Sequence, residues 1–238
     1  MLTVYLSGPN TQQQAHAARG MPVLLSFATT SQWIERYVPS FDRVLGDSGA
    51  FSEFNSGKKI DLDGFAEWST RLLEHPHVDA VATLDNIAGN WRQGLANWDA
   101  TPWTFPVYHD TDPPEALDAI LERMPGRPQW IGLGMTPPRQ SRAWLATALA
   151  RIEERRPAVN VHGFALRAHL DVLLRYRGRS VSVDSTNWML DVRQILDNRM
   201  TRHLTPAEAL DIVVKRYARE RHTMQTDSDL PLFQEMTR

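Results

Sequence analysis

The stretch that decides the fold is Val44-Leu45-Gly46-Asp47-Ser48-Gly49-Ala50-Phe51. Its apolar start is typical of a short buried strand, and that strand leads directly into a carboxylate, a hydroxyl and small residues. Small residues at a strand end let the backbone approach a ligand closely, and Asp47 would lie at the edge of a sheet. Because Asp, Ser and Gly are also ordinary turn residues, this stretch alone is more typical of a strand that ends in a polar turn.

The same pattern recurs along the chain, with apolar runs alternating with segments of helical spacing. Alternation of strand and helix predicts parallel strands joined by right-handed crossovers. Eight such units close into a (β/α)8 TIM-type barrel, so we expect this fold. The eight predicted strands are 4–6, 23–27, 44–45, 78–84, 105–108, 130–134, 159–164 and 180–183.

Polar residues and glycines stand at or near the ends of most of the predicted strands. In a (β/α)8 barrel the active site is built at the carboxyl ends of the strands. Each of these residues alone is compatible with a helix cap or a turn, but together they predict the mouth of an enzyme. They are Ser7, Asp47, Asp85, His109, Gly132 to Gly134, His162 and Asp184.

The length of 238 residues and the net charge of -2 fit one large domain or two small ones. We expect a barrel over 1–190, helices over 191–222 packed on it, and a mobile tail over 223–238. The helices after the barrel are basic, which is typical either of a solvated face or of a surface that contacts phosphates. The basic residues considered for nucleic-acid binding are Arg193, Arg199, Arg202, Lys215 and Arg216.

Composition narrows the chemistry further. The chain has no cysteine, which excludes disulfides, thiolate catalysis and zinc sites that use sulfur, and we expect no metal and no cofactor. We see no signal peptide and no apolar run near the ~20 residues that span a bilayer, so we expect a soluble cytoplasmic protein. Only Lys58, Lys59 and Lys215 of the 26 basic residues are lysines. Arginine suits phosphate recognition, although a GC-rich genome gives the same bias.

Several motifs together resemble the tRNA-guanine transglycosylase superfamily. Asp47–Phe51 is similar to its Asp-Ser-Gly-Gly-aromatic motif, and Ile131–Gly134 is similar to its Gly-Gly-Leu-Ala loop. The segment from His162 to Asp184 has the order and spacing of its Met-Gly-Val-Gly, helix, Gly-Val-Asp segment. The resemblance covers roughly residues 40 to 190.

The resemblance implies exchange of guanine in a polynucleotide for a 7-deazaguanine base. It makes Asp184 the nucleophile that attacks the sugar C1′, and Asp47 the general acid/base. It makes Asp85 the group that recognises the Watson–Crick edge of the purine. Independently of the resemblance, a carboxylate can stabilise or trap the positive charge that develops on a sugar as its glycosidic bond breaks.

The resemblance also assigns the contacts to the base. Ser48 and the backbone around Gly132 and Leu133 would contact its polar edge, and Phe51 would stack on it. His162 stands where the family has a methionine. His109 stands near the family's base-binding glutamine, with Tyr108 as the alternative.

Two departures from the family narrow the substrate. The tRNA-acting members carry a cysteine-rich zinc subdomain and are much longer, whereas this chain has no cysteine. Both features resemble the compact phage-type branch that modifies DNA in the host cytoplasm. DNA is therefore favoured over tRNA, and the target guanine would be flipped out or presented unpaired. A tRNA-directed enzyme, an N-glycoside hydrolase and a non-catalytic nucleic-acid-binding subunit are the alternatives.

Overall fold

The computed structural model describes residues 2–135, 141–166, 169–185, 187–198, 201 and 203–228. The strands are β1 Leu2–Ser7, β2 Pro22–Ser26, β3 Arg43–Asp47, β4 Val78–Val81, β5 Val107–His109, β6 Trp130–Gly134, β7 Asn160–Phe164 and β8 Ser180–Ser185. The α-helices are α1 Gln12–Ala17, α2 Ala50–Ser56, α3 Leu62–Leu73, α4 Trp91–Ala100, α5 Pro114–Arg123, α6 Arg142–Arg155, α7 Leu170–Leu173, α8 Asn187–Asp197 and α9 Pro206–Ser228. A 3-10 helix, Gln32–Ser40, joins β2 to β3.

The eight strands form one parallel sheet that curls into a barrel. Their order is β4-β3-β2-β1-β8-β7-β6-β5, so the two ends of this series are consecutive in sequence. Hydrogen bonds link these ends just beyond β4. The Phe105 N–H donates to the Val81 carbonyl at 2.8 Å, and the Thr83 N–H donates to the Phe105 carbonyl at 2.8 Å. The predicted (β/α)8 TIM-type fold is confirmed.

Side chains alternate between the barrel interior and the layer under the helices, as the period of two in a strand requires. The interior cluster includes Tyr5, Leu24, Leu45 and Phe105. The neighbouring positions Val4, Leu6 and Val44 belong to the larger core between sheet and helices. Residues two positions after an interior residue face the same way. Because of this alternation, the last interior side chain of several strands lies at the carboxyl end of the barrel.

Two connections differ from the sequence prediction. The sequence predicts no helix after β1, yet α1 forms there, because a reciprocal capping box between Thr11 and Gln14 stabilises its start. After β2, the sequence predicts a helix that holds Trp33 and Ile34, and the structure forms a 3-10 helix there that contains Pro39. Proline has no backbone N–H to donate and clashes with the preceding turn of an α-helix, which disfavours a regular α-helix here.

The chain after the barrel strands forms two packed helices. The predicted boundary at residue 190 falls inside α8, and α9 packs against α8, α1 and β1. The sequence predicts a mobile tail from residue 223, but α9 continues through the first part of that segment to Ser228. Residues 229–238 lie outside the described residues. Among the described helices, none is long and apolar enough to cross a membrane.

Candidate active site

Polar side chains from six strands or strand ends meet at the carboxyl end of the barrel, which we call the mouth. Asp47 ends β3, His109 ends β5, and Asp184 lies one residue before the end of β8. Their neighbours in the mouth are serines and a third aspartate. The mouth is formed by Ser7, Ser26, Asp47, Asp85, His109 and Asp184.

Asp47 is a carboxyl group whose surroundings oppose ionisation. Burial and the negative charges of Asp85 and Asp184 raise its pKa to about 7. The Gly49 N–H donates to Asp47 Oδ2 at 3.0 Å, and the Ser26 hydroxyl also donates to this carboxyl, which offsets part of that rise. Asp47 can therefore exchange a proton near neutral pH, which general acid/base catalysis requires.

Gly49 allows the turn between Asp47 and α2. Its φ is +84°, in the left-handed region, and a Cβ there would lie 2.4 Å from Ala28 Cβ and 2.7 Å from Ser26 Oγ. Glycine is the residue that tolerates both the dihedral angle and the close approach. The turn directs the Gly49 N–H towards Asp47.

We expect Gly49→Ala to lower the free energy of unfolding more than Gly57→Ala does. Both glycines have positive φ, but nothing lies within 4 Å of a Cβ at Gly57. The Gly57 variant should cost ~1 kcal/mol from the dihedral angle alone, and the Gly49 variant at least ~2 kcal/mol because of the added clash. Urea denaturation of the two variants measures the difference. Equal losses would show that the contact with Ala28 relaxes without cost.

Asp184 differs from Asp47 because its neighbours favour the charged form. Ser7 Oγ donates to Oδ2 at 2.8 Å, the Ala165 N–H donates to Oδ1 at 2.8 Å, and His162 Nε2 lies 3.7 Å from Oδ1. Burial alone would raise its pKa, but His162 and these two donors outweigh burial and lower it. The side chain is 12% exposed. Asp184 is thus an ionised carboxylate held in a fixed orientation.

Backbone strain supports this placement of Asp184. Ala165 has a φ of +56°, and it is the one non-glycine with positive φ among the described residues. Such dihedral angles persist where the surrounding structure imposes them, and they cluster at functional sites. Here the strained residue directs its N–H at Asp184.

Asp85 takes part in a buried ion pair. His109 Nε2 lies 2.9 Å from Asp85 Oδ2, and His109 Nδ1 lies 3.6 Å from Asp112 Oδ2. Burial alone would lower the pKa of His109, but the carboxylates of Asp112 and Asp85 raise it to about 10. The imidazole is therefore protonated at neutral pH and supplies the counter-charge of Asp85.

The ring of His109 lies between these carboxylates and is only 5% exposed, so little of it remains for a base to contact. The alternative, Tyr108, faces the helices and stacks on Trp144 with ring centroids 5.3 Å apart. The sequence analysis did not identify Asp112 as a site residue. Its position three residues after the end of β5 could have indicated it.

Several predicted base contacts lie away from the open mouth. Ser48 is fully buried, and its hydroxyl accepts a hydrogen bond from the Ala50 N–H at the start of α2. His162 is also fully buried, below Asp184, with Nδ1 2.9 Å from Ser182 Oγ. The side chain of Leu133 faces the helix-covered core, and a Cβ at Gly132 would lie 2.7 Å from the ring of Phe164 inside the barrel. The contact predicted for these two residues is through their backbone, near the carboxyl end of β6, and it stays a prediction.

Phe51 lies on the exposed rim instead. It is 56% exposed on α2, and Phe54 on the same helix is 49% exposed. Residues three positions apart lie on one face of a helix, so the two exposed rings share a face of α2, which begins three residues after Asp47.

Three basic residues of α8 and α9 are paired with acidic residues on the same two helices. Arg193 Nε lies 3.7 Å from Asp197, Lys215 Nζ lies 2.6 Å from Asp211, and Arg216 pairs with Asp191. Such pairs reduce the net positive charge that a phosphate would meet. Arg199 and Arg202 lie outside the described residues.

No group of three or more His, Cys, Asp or Glu side chains is placed to hold a metal ion in the described part of the chain.

Comparison with known proteins supports the fold. No protein-family model matches the chain, and no significant match is found among curated proteins. A fructose-1,6-biphosphate aldolase from Coccidioides immitis is similar in structure, with a TM-score of 0.53 and 12% identity over 91% of this chain and 88% of that chain. A mutant tryptophan synthase alpha-subunit from Pyrococcus furiosus has a TM-score of 0.51 and 14% identity, over 90% and 96%. At such identities the similarity shows the barrel fold alone.

Proposed function

We propose that this protein is a base-exchange transglycosylase that replaces guanine in a polynucleotide, preferably DNA, with a 7-deazaguanine derivative. The observation that carries the proposal is the contrast between two aspartates in one mouth. The pKa of Asp184 is lowered, whereas the pKa of Asp47 is raised to about 7. Two carboxyl groups whose environments separate their pKa values are suited to act as nucleophile and proton donor.

In the first step, a carboxylate oxygen of Asp184 attacks C1′ of the target nucleotide. The bond between C1′ and the base nitrogen breaks, and its electron pair stays on the departing guanine. Protonated Asp47 gives its proton to that guanine, which leaves as a neutral base. The product is a covalent ester between Asp184 and the sugar, with Asp47 ionised.

In the second step, the incoming 7-deazaguanine gives its ring N–H proton to Asp47. Its nitrogen then attacks C1′, and Asp184 leaves as a carboxylate. The exchange consumes no oxidant, reductant or other reactant. A pKa of about 7 suits Asp47 to both directions of proton transfer, since both protonation states are populated at neutral pH.

Asp85 is the group proposed to recognise the guanine. A carboxylate can accept hydrogen bonds from two neighbouring N–H donors on the Watson–Crick edge. The imidazolium of His109 lies 2.9 Å from Asp85 and supports its negative charge. Phe51, which is exposed on α2 four residues after Asp47, would stack on a base that enters the mouth.

The positions of the three lysines argue against carbonyl chemistry through a Schiff base. Carbonyl chemistry through a Schiff base requires a lysine amine at the reacting centre. Lys58 and Lys59 follow α2 away from the strand ends, and Lys215 lies on α9. The carboxylates of the mouth instead suit chemistry at a sugar carbon.

The experiment that tests the proposal incubates the protein with guanine-labelled DNA and a panel of 7-deazaguanine bases, followed by mass spectrometry of the nucleosides. Release of guanine together with incorporation of a deazaguanine into DNA is expected. Parallel arms use tRNA, and DNA without an incoming base. Incorporation into tRNA alone would show that tRNA is the substrate and DNA is not. Abasic sites formed in DNA without an incoming base would indicate a hydrolase. No base release in any arm would overturn the enzymatic proposal.

A further inference from the structure

A groove on the outer face of the barrel lies between α1 and the 3-10 helix. It is open to solvent and has a volume of about 290 Å³. One wall is formed by Gln12 at the start of α1 and by Arg19, two residues after its end, and the other wall is formed by the 3-10 helix. We call it the α1 groove, and its lining is Gln12, Arg19, Trp33, Arg36, Tyr37 and Ser40.

The two arginines of the α1 groove are not neutralised. Among the described residues, no ion pair involves Arg19 or Arg36, and no acidic residue lines the groove. Glu35, the carboxylate nearest in sequence, binds Arg71 of α3 instead, at 3.2 Å. The α1 groove therefore presents two unpaired guanidinium groups, in contrast to the paired cations of α8 and α9.

Aromatic rings accompany these charges. Trp33 and Tyr37 meet edge to face with centroids 6.1 Å apart, and the guanidinium of Arg19 lies 5.7 Å from the centre of the Tyr37 ring. Arginine binds phosphate through its planar fork, and aromatic faces stack on nucleic-acid bases whatever their sequence. This combination is typical of surfaces that bind single-stranded nucleic acid.

The topology connects the α1 groove to the mouth. α1 follows β1, whose Ser7 donates to Asp184, and the 3-10 helix follows β2, whose Ser26 donates to Asp47. Both walls of the groove therefore begin at the rim, with Gln12 and Trp33, and continue down the outer face of the barrel. Arg19 and Ser40 lie near the amino ends of β2 and β3, where the Gly20 N–H donates to the Ser40 carbonyl at 2.9 Å. A strand with one nucleotide in the mouth would pass from the rim into the groove.

We propose that the α1 groove binds nucleotides of the same strand beyond the target base, with Arg19 and Arg36 on their phosphates and Trp33 on a base. The proposal rests on the proposed function for the identity of the strand. It places the polynucleotide contact on α1 and the 3-10 helix rather than on α8 and α9.

Binding of a fluorescent single-stranded oligonucleotide that contains one guanine tests this proposal without any chemistry. The double variant Arg19→Ala/Arg36→Ala should bind at least ~10-fold more weakly, and the slope of log affinity against log salt should fall by about 1.4, as expected for two lost phosphate contacts on a single strand. The matched control is Arg193→Ala/Lys215→Ala, which removes the same charge from α8 and α9. It should bind within about twofold of the unchanged protein.

Trp33→Ala tests the stacking separately, with Trp103→Ala as control because Trp103 is a partly exposed tryptophan outside the groove. We expect about tenfold weaker binding for the first variant only. Cross-linking of a series of oligonucleotides with 5-iodouracil at successive positions on either side of the guanine should label the 3-10 helix. Labelling of α8 or α9 would overturn the proposal.

The outcomes separate the two proposals. Binding loss confined to the groove variants, in a protein without base exchange, would support the α1 groove and reject the proposed reaction. Base exchange by a protein whose groove variants bind as tightly as the unchanged protein would support the proposed reaction and reject the α1 groove. Equal losses in the groove and control variants would show non-specific charge attraction and overturn the groove proposal, as would a protein that binds no oligonucleotide.

Discussion

Asp184→Asn is expected to abolish the covalent protein–DNA adduct and to lower the base-exchange rate by ~10⁴-fold or more. The amide has the shape of the carboxylate and can still accept the hydrogen bond from the Ala165 N–H, which is 2.8 Å long in the native protein. It lacks the negative charge that attacks C1′ and stabilises the positive charge on the sugar. The adduct is measured on a denaturing gel and by intact-protein mass spectrometry, after DNA is mixed with protein in the absence of an incoming base.

A surface aspartate provides the matched control. Asp99→Asn removes a carboxylate from α4, where Asp99 pairs with Arg127 at 2.8 Å and is 49% exposed. The adduct and the exchange rate should be unchanged in this variant. Adduct formation by the Asp184→Asn variant would assign the nucleophile to another group, and peptide mapping of the adduct would then identify it.

The barrel could be predicted from the sequence because its signals are local. Each strand is an apolar run of a few residues, and alternation with helical segments implies parallel pairing. α1 was missed because its sequence, Gln-Gln-Gln-Ala-His-Ala, buries only Ala15 and has no apolar stripe. Its stability comes from the capping box and from packing against α9, and the packing depends on tertiary structure that no short window contains.

The positions of five of the six mouth residues could also be predicted, since they follow from where each strand ends. Ser26, at the end of β2, was missed. The partners of the mouth residues could not be predicted. His109 meets Asp85 across the seam where the barrel closes between β4 and β5, and that contact exists only once all eight strands are in place. The pKa of Asp47 has the same origin, because Asp85 and Asp184 come from distant parts of the chain.

The alternation of side chains along a strand explains why His162 lies deep in the barrel. Asp184 and Ser182 face the interior at successive levels of β8, and His162 pairs in register with Ser182. His162 is therefore one level below the mouth and supports Asp184 rather than a base. Counting positions back from the strand end would have indicated the placement of His162. The side chain of Leu133 points to the helices, but the contact predicted for Leu133 is through its backbone and does not depend on that direction.

Asp47→Asn should slow base exchange by ~10² to 10⁴-fold, the usual contribution of a general acid or base. In the native protein, adduct formation should fall as pH rises through about 7, because Asp47 loses the proton that the departing guanine needs. The Asp47→Asn variant should retain a slow rate that does not change through this pH range. Single-turnover rates of guanine release between pH ~5.5 and ~8.5 measure both curves. A native rate that is independent of pH here would rule out Asp47 as the proton donor.

The same substitution should stabilise the folded protein at alkaline pH. The pKa of Asp47 is about 7 when folded and near its ordinary value of 3.8 when unfolded, so ionisation disfavours the folded state. The stability that the protonated form contributes is complete below about pH 4 and is lost as pH rises to about 7. At a pH of about 8.5 we therefore expect Asp47→Asn to raise the free energy of unfolding by about 2 to 4 kcal/mol. At a pH of about 4 the gain should vanish, and a gain of equal size at both values would mean that the amide stabilises by packing rather than by removing a charge.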